Sequence, residues 1–296
     1  QTLRILREFL WGSHRVVFYL KPAPASRWYL ALRRQWDDRR IVVGTIEATI
    51  DFRKEPTVLP EYIRQWEQTI LRSDCLFSNS ACVQKSLARE YHMKSAIIPT
   101  GVDTNFFFPD FNRPPNSRSR VLFVGSLKTY KQPQLLVDAA QRFPQADFRI
   151  AGAGPLAIEL RRRVAEHALP NVHLLGPLSA EELRREYQSA DIFLFPSRWE
   201  GSPKVILEAA ACGLPVIIRN DYSAETVVHG VTGYQAGTDE EILQYLILLL
   251  SDPRLREELG RRGREHSKKY DWDKITNRWE EAFVNLAAGA LARKAS

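Results

Sequence analysis

The chain has 296 residues, 44% hydrophobic and 26% charged, the profile of a folded protein long enough for two domains. That profile excludes a disordered tail, a fibrous repeat and a disulfide scaffold, and the longest apolar run, around residues 247–250, is too short to span a bilayer. The 42 Lys and Arg outnumber the 35 Asp and Glu for a net charge of +7, and residues 1–115 hold most of the surplus, 17 basic against 12 acidic.

In chain order, the first third predicts strands at 15–20, 40–46, 75–79 and 95–99, with helices at 26–36, 61–72 and 81–91. The helix at 26–36 mixes Arg27, Trp28, Arg33, Arg34 and Trp36. Two readings fit that mixture: a helix lying on an anionic membrane surface, or an ordinary helix packing its tryptophans inward. The basic surplus would suit phospholipid headgroups or phosphorylated acceptors; no basic–aromatic recognition motif supports nucleic acid. Residues 109–120 (PDFNRPPNSRSR) lack periodicity and read as a linker. Apolar runs then recur at 121–125, 148–152, 172–176, 192–196 and 215–218, starting 20 to 27 residues apart, with helical segments between. Runs that are apolar throughout suit a parallel sheet covered on both faces, and strand–helix–strand repeats at this spacing give a doubly wound α/β domain. Helices follow at 240–251, 253–269 and 273–288.

Cys75, Cys82 and Cys212 lack zinc-ligand spacing, which fits a reducing compartment, and the opening residues show no secretory signal, so the expected location is the cytoplasm. The chain opens on Gln1 rather than Met, so its first residues need not be a natural beginning. The six histidines show no ligand spacing, and no carboxylate cluster suggests a metal.

Residues 196–216 (PSRWEGSPKVILEAAACGLPV) carry the chemistry. They follow a strand, with Ser202 suited to cap a helix and Pro203 to its first position. A helix starting at the carboxyl edge of a parallel sheet aims free N–H groups and its positive dipole end at an anion such as a diphosphate. Glu200 precedes those amides, and Glu208 lies in the helix on the face of Lys204. Two carboxylates so placed can accept hydrogen bonds from sugar hydroxyls. On spacing alone a simple Glu208–Lys204 pair with a solvated Glu200 leads.

The glutamates seven residues apart, in PS-xx-EG-x-PK-xx-LEA-xA-x-G-x-PV, resemble the signature of the retaining glycosyltransferases of family 4, which have the GT-B fold. Five further segments are similar to that family in the same order: PTGVDTNFFFP (99–109), VGSLKTYK (124–131), AGAGP (151–155), YQSADIFLFPS (187–197) and HGVTGYQ (229–235). The resemblance implies two Rossmann-like parallel-sheet domains facing a crevice, the first truncated or reduced: residues 1–115 on the acceptor side, 116–275 binding the donor, and 276–296 a closing helix crossing back to the first domain. It implies transfer of a hexose from a nucleotide sugar, such as a UDP- or GDP-sugar, to a glycan, lipid-linked or small-molecule acceptor, with no metal or cofactor and no enzymic nucleophile. By resemblance Glu200 and Lys131 are catalytic, Glu200 touching the donor sugar and Lys131 neutralising the departing diphosphate with backbone N–H groups around Ser202, Pro203 and Lys204. Glu208 would hold the ribose, and Gly176, Pro177 and Leu178 would frame the base. Gly125, Ser126, Gly152, Gly154, Ser197 and Gly201 complete the donor set.

The chain departs from the family at Ser126, where many relatives have arginine and Lys128 would substitute, and at Glu47, where relatives often carry a histidine near the acceptor. About 100 residues precede the GVD segment, and the family's opening strand–helix units have no match. Three rival functions remain: a sugar-nucleotide epimerase, a phosphorylase, or a non-catalytic donor-binding subunit of a larger transferase. A peripheral position on an anionic membrane is a further expectation of the charge distribution.

Overall fold

Strands buried on both faces, apolar through most of their length, run through both parts of this chain. The computed structural model describes residues 15–19, 24–33, 35, 40–49, 53, 58–222 and 225–295. They fall into two units, residues 1–99 with 273–296 and residues 100–272.

The first unit is a parallel sheet in the order β1-β2-β3-β4, formed by β1 (Val16–Tyr19), β2 (Ile41–Ile46), β3 (Cys75–Ser78) and β4 (Ala96–Ile97). Successive side chains of a strand point to opposite faces. Val42 accordingly joins Tyr29, Trp66, Ile70 and Leu87 beneath the helices Pro24–Leu32, Pro60–Thr69 and Ala81–Tyr91. Its neighbour Val43 packs on the other face with Phe77, Ile98 and Ile275. That second face is covered by the last helix, Trp272–Ala295, whose Trp279 meets Phe77 and Phe18 at ring centroids of 4.9 and 5.2 Å.

Helix Pro24–Leu32 ends four residues earlier than the sequence suggests. Arg33 is not a lipid-facing cation: its guanidinium donates to Asp74 Oδ2 at 2.7 Å and to the Arg40 carbonyl at 2.5 Å, which leaves its side chain 12% exposed. Nor does Trp28 pack inward, being 58% exposed; Tyr29 takes the buried position instead. Arg34 and Trp36 lie outside the described residues.

The second unit holds β5 (Arg120–Val124), β6 (Asp147–Ala151), β7 (Val172–Gly176), β8 (Ile192–Phe195), β9 (Val216–Arg219) and β10 (Gly233–Ala236), all parallel, in the order β10-β9-β8-β5-β6-β7. Phe123, Phe148, Phe193 and Phe195 are buried in its middle. β10 falls where the sequence suggested only a turn; it is a four-residue edge strand with no apolar run to announce it.

The segment read as a linker is anchored to this unit. Arg113 donates to Asp191 Oδ1 at 2.7 Å and to the Ala190 carbonyl at 2.8 Å, and Asn116 reaches Asp191 Oδ2 at 2.8 Å. Upstream, Val102 N donates to the Tyr270 carbonyl at 2.9 Å and Trp272 N to the Val102 carbonyl at 3.0 Å. The chain therefore passes between units at 99/100 and 272/273, where the sequence reading placed the changes at 115/116 and 275/276. Among the described residues, no helix is long and apolar enough to cross a membrane.

Candidate functional site

From β5 the chain winds outward through β6 to β7, then returns to the other side of β5 to lay down β8. In open parallel sheets such a reversal leaves a gap at the carboxyl ends of the two flanking strands, where ligands are held. The loops that leave β5 and β8 carry the residues singled out by the sequence.

These loops are joined to each other. Arg198 N donates to the Tyr130 carbonyl at 2.9 Å, Ser197 Oγ reaches that carbonyl at 3.5 Å, and the Tyr130 and Trp199 rings stack at 5.9 Å and 16°. Lys131 ends a 3-10 turn, Thr129–Lys131, and its ammonium bonds Glu200 Oε1. The same oxygen accepts from Ser197 Oγ at 2.6 Å. Lys131 and Glu200 are 13% and 12% exposed, and the ammonium lies 4.8 Å from the centre of the Phe195 ring. The structure thus brings together Lys131, Ser197 and Glu200 as a partly desolvated cluster at the reversal. Sequence motifs named all three residues but not their mutual bonds.

Gly125 and Ser126 open the first loop and rest on the glycine turn after β6. Gly125 N donates to the Ala151 carbonyl at 3.0 Å and Leu127 N to the Ala153 carbonyl at 2.9 Å. A Cβ on Gly152, whose φ is +139°, would lie 1.9 Å from the Gly125 carbonyl oxygen, and one on Gly154 2.6 Å from that of Leu127. These two glycines let backbone approach backbone. Gly176, Pro177 and Leu178 sit apart from the cluster, at the end of the edge strand β7. A Cβ on Gly176 would meet open space.

The helix after β8 runs Lys204–Ala211. Pro203, not Ser202, occupies its cap position: ψ of 121° leaves Pro203 extended, and no side chain caps the helix start. Gly201 and Pro203 are buried and Ser202 half-buried. The Lys204–Glu208 pairing allowed by spacing is not what forms. Lys204 is exposed with its ammonium 5.8 Å from the Trp272 ring centre, while Glu208 Oε2 accepts from the Tyr187 hydroxyl at 3.0 Å. Burial raises the Glu208 carboxyl above its ordinary value, against the opposing pull of the Tyr187 bond and the Lys204 charge. Tyr187 is itself fully buried, and burial beside Glu208 raises its hydroxyl as well.

Sequence reasoning passed over Tyr187, the Tyr130–Trp199 stack and Arg219. The last had a visible signal, an arginine closing the apolar run of β9 beside the reversal. Among the described residues, no group of three or more His, Cys, Asp or Glu could hold a metal ion.

A profile of the family described as glycosyl transferases group 1 matches residues 105–266. A sulfoquinovosyl transferase of Arabidopsis thaliana is 31% identical over 194 residues, covering 60% of this chain and 37% of that protein. A D-inositol 3-phosphate glycosyltransferase of Corynebacterium jeikeium is 30% identical over 259 residues, 77% of this chain and 61% of that one. The chain thus spans less than two thirds of the length of each of these relatives. Among solved structures, sucrose-phosphate synthase from Thermosynechococcus elongatus superposes with a TM-score of 0.84 at 20% identity, over 97% of this chain and 77% of that one. The Anabaena protein HepE, in complex with UDP and glucose, gives 0.76 at 18% identity, over 96% and 80%.

Proposed function

The chain belongs to the glycosyl transferases group 1 family and has the GT-B fold, and from that premise we propose that it moves a hexose from a nucleotide sugar to an acceptor hydroxyl with retention of configuration. The observation that carries this reading is the Lys131–Glu200–Ser197 cluster at the strand reversal of the six-stranded sheet. Breaking the bond between a sugar and a nucleoside diphosphate develops negative charge on the departing phosphate. Fixed cations and dipoles aimed at that charge stabilise the transition state. In this reading Lys131 and the amides at the start of Lys204–Ala211 supply them, Glu200 turns from Lys131 to a hydroxyl of the donor sugar, and Glu208, oriented by Tyr187, accepts from the ribose. Gly125 and Ser126 line the phosphate side, Gly201 shapes the loop before the helix, and Gly176, Pro177 and Leu178 border the base. No metal, cofactor or enzymic nucleophile is assigned.

The acceptor is a glycan, a lipid-linked molecule or a small molecule met by the first unit. The relatives named for D-inositol 3-phosphate support an anionic acceptor, which suits the basic surplus of residues 1–115. Exposed Arg27 and Trp28, side by side on one helix, favour a second element of the reading, a peripheral position on an anionic membrane.

A thermal-shift screen of UDP-, GDP- and ADP-sugars tests the donor, because a ligand that binds only the folded chain raises its apparent stability. One donor should raise the midpoint and, with an acceptor present, release its nucleotide and give a product of unchanged anomeric configuration. Inversion at the anomeric carbon would sink the retaining assignment. Conversion of the donor to an epimer without transfer would favour an epimerase, dependence of turnover on inorganic phosphate a phosphorylase, and binding without turnover a donor-binding subunit.

A further inference from the structure

Among the described residues, Arg219 is the largest side chain that is completely buried, 2% exposed at the end of β9. Taking a guanidinium out of water is costly unless its donors are matched. Here Nε and Nη2 are bonded by three separate segments. Nε donates to Gln132 Oε1 at 2.7 Å and to the Pro196 carbonyl at 3.2 Å, and Nη2 bonds the carboxylate of Asp239, the first residue of helix Asp239–Ser251. Gln132 directly follows Lys131, and Pro196 directly precedes Ser197, the partner of Glu200. One rigid, planar group therefore addresses both loops of the donor site at the residues next to their working side chains.

The sheet does not need this arrangement. β9 is held by its ladders to β8 and β10, with Ile218 opposite Phe195 and Arg219 opposite Ala236, and an apolar residue would keep both. Gln132, by contrast, is held in a left-handed conformation, φ +50°, that a residue other than glycine adopts at a cost. Its side chain is fastened to Arg219, so the bond pins the turn that delivers Lys131.

We propose that Arg219 is a positioning residue: by clamping Gln132 and Pro196 to Asp239 it sets the separation of Lys131 and Glu200 in the free protein, so that the phosphate-binding cation is in place before the donor arrives. This rests on the reading in which Lys131 meets the diphosphate. Lysine at 219 would keep the charge and one bond to Asp239, but it lacks the Nε–H that Gln132 and the Pro196 carbonyl share.

The test compares the parent chain with Arg219→Lys, Gln132→Met and Lys131→Ala. Each is titrated by calorimetry with UDP, GDP and ADP and with the matching nucleosides, alongside thermal denaturation. Arg219→Lys and Gln132→Met should each weaken the diphosphate that the parent binds by about tenfold, equivalent to about 1.4 kcal/mol, and leave the nucleoside unchanged. Lys131→Ala should show the same selectivity with a larger loss. Gln132→Met lies in a surface turn and tests the same contact should Arg219→Lys fail to fold. Parent-like diphosphate binding by both clamp variants, with Lys131→Ala still impaired, overturns the role of Arg219 and leaves the donor reading standing. Equal losses of diphosphate and nucleoside make Arg219 a support of the fold only and also overturn it. Parent-like binding by Lys131→Ala removes the donor reading and the clamp together.

Discussion

The six-stranded sheet doubles back between β5 and β8, whereas the four described strands of the smaller unit run β1-β2-β3-β4 without a reversal. The larger unit closes its faces with helices drawn from its own stretch of sequence. The smaller one covers a face with residues 272–295, which are about 170 residues or more beyond its last strand. A reversal makes a gap at strand ends, and loops that meet across it can bring a lysine and a glutamate together. Strands laid in chain order make no such gap. This difference accounts for the catalytic candidates gathering in one unit.

The largest effect should come from the borrowed helix. Trp279 packs against Phe18, Phe77 and Phe283, with ring centroids 4.9 to 5.5 Å away. Trp279→Ala should cost about 3 kcal/mol, the lower end of the range for removing a large aromatic from a core. Denaturant unfolding should show that loss in the smaller unit, with nucleotide affinity of the larger unit intact. A proportionate loss of nucleotide binding would join the two units energetically and break the contrast.

Next in size is Lys131→Ala. Hydrogen bonds to charged groups contribute about 1.5–3 kcal/mol, so the nucleoside diphosphate should weaken by about 10-fold to 150-fold and the nucleoside hardly at all. Glu200→Gln should act in the opposite sense on binding. Its carboxylate competes with any phosphate for Lys131, so neutralising it should tighten diphosphate binding several-fold while turnover falls. Weaker diphosphate binding by Glu200→Gln would show that Glu200 does not compete for Lys131.

A smaller effect is expected in the pH dependence of stability. The Glu208 carboxyl is raised above its ordinary 4.5 by burial, so between that value and its folded value the native state holds more protons than the unfolded one. The relative stabilisation is complete below 4.5 and is lost as pH rises through the folded value. Glu208→Gln cannot titrate and should lack this decline, while also weakening nucleotide binding. Parallel stability profiles for parent and variant from pH 4 to 8 would contradict the burial argument.

Much of this fold is legible in the sequence because β5, β8 and β9 are covered on both faces and therefore apolar without interruption. Their runs admit little besides buried strands. β10 sits at an edge as Gly233–Ala236 and offers no such run. The segment at 109–120 is composed like a loop, and nothing local shows that Asp191, some 75 residues on, binds Arg113 and Asn116. The site divides the same way. Motif spacing nominates Lys131, Glu200 and Glu208, but two of the bonds that hold them cross between elements: Lys131 meets Glu200 from the loop after β5, and Tyr187 meets Glu208 from the helix before β8. Arg219 acts through Gln132 and Asp239, 87 and 20 residues away, and only the three-dimensional arrangement reveals that fork.

The smallest expected effect tests the exposed face of the smaller unit. Arg33 is bound to Asp74, so charge reversal there would damage the unit before it reported on lipid. Arg27 and Trp28 remain, both exposed on Pro24–Leu32. A basic residue at an anionic surface contributes about 1 kcal/mol, screened over about 10 Å at 0.1 M salt, and an interfacial tryptophan adds apolar contact. Sedimentation with vesicles rich in anionic lipid should be measurable at low salt and fall as salt rises. Arg27→Glu should lower it about fivefold or more, since the charge is reversed, and Trp28→Ala should lower it at every salt concentration because its contribution is apolar. Neutral vesicles provide the contrast, binding weakly and showing little response to Arg27→Glu. Equal binding to neutral and anionic vesicles, or anionic binding that survives both substitutions, would take this helix out of membrane contact and return the basic surplus of residues 1–115 to the acceptor.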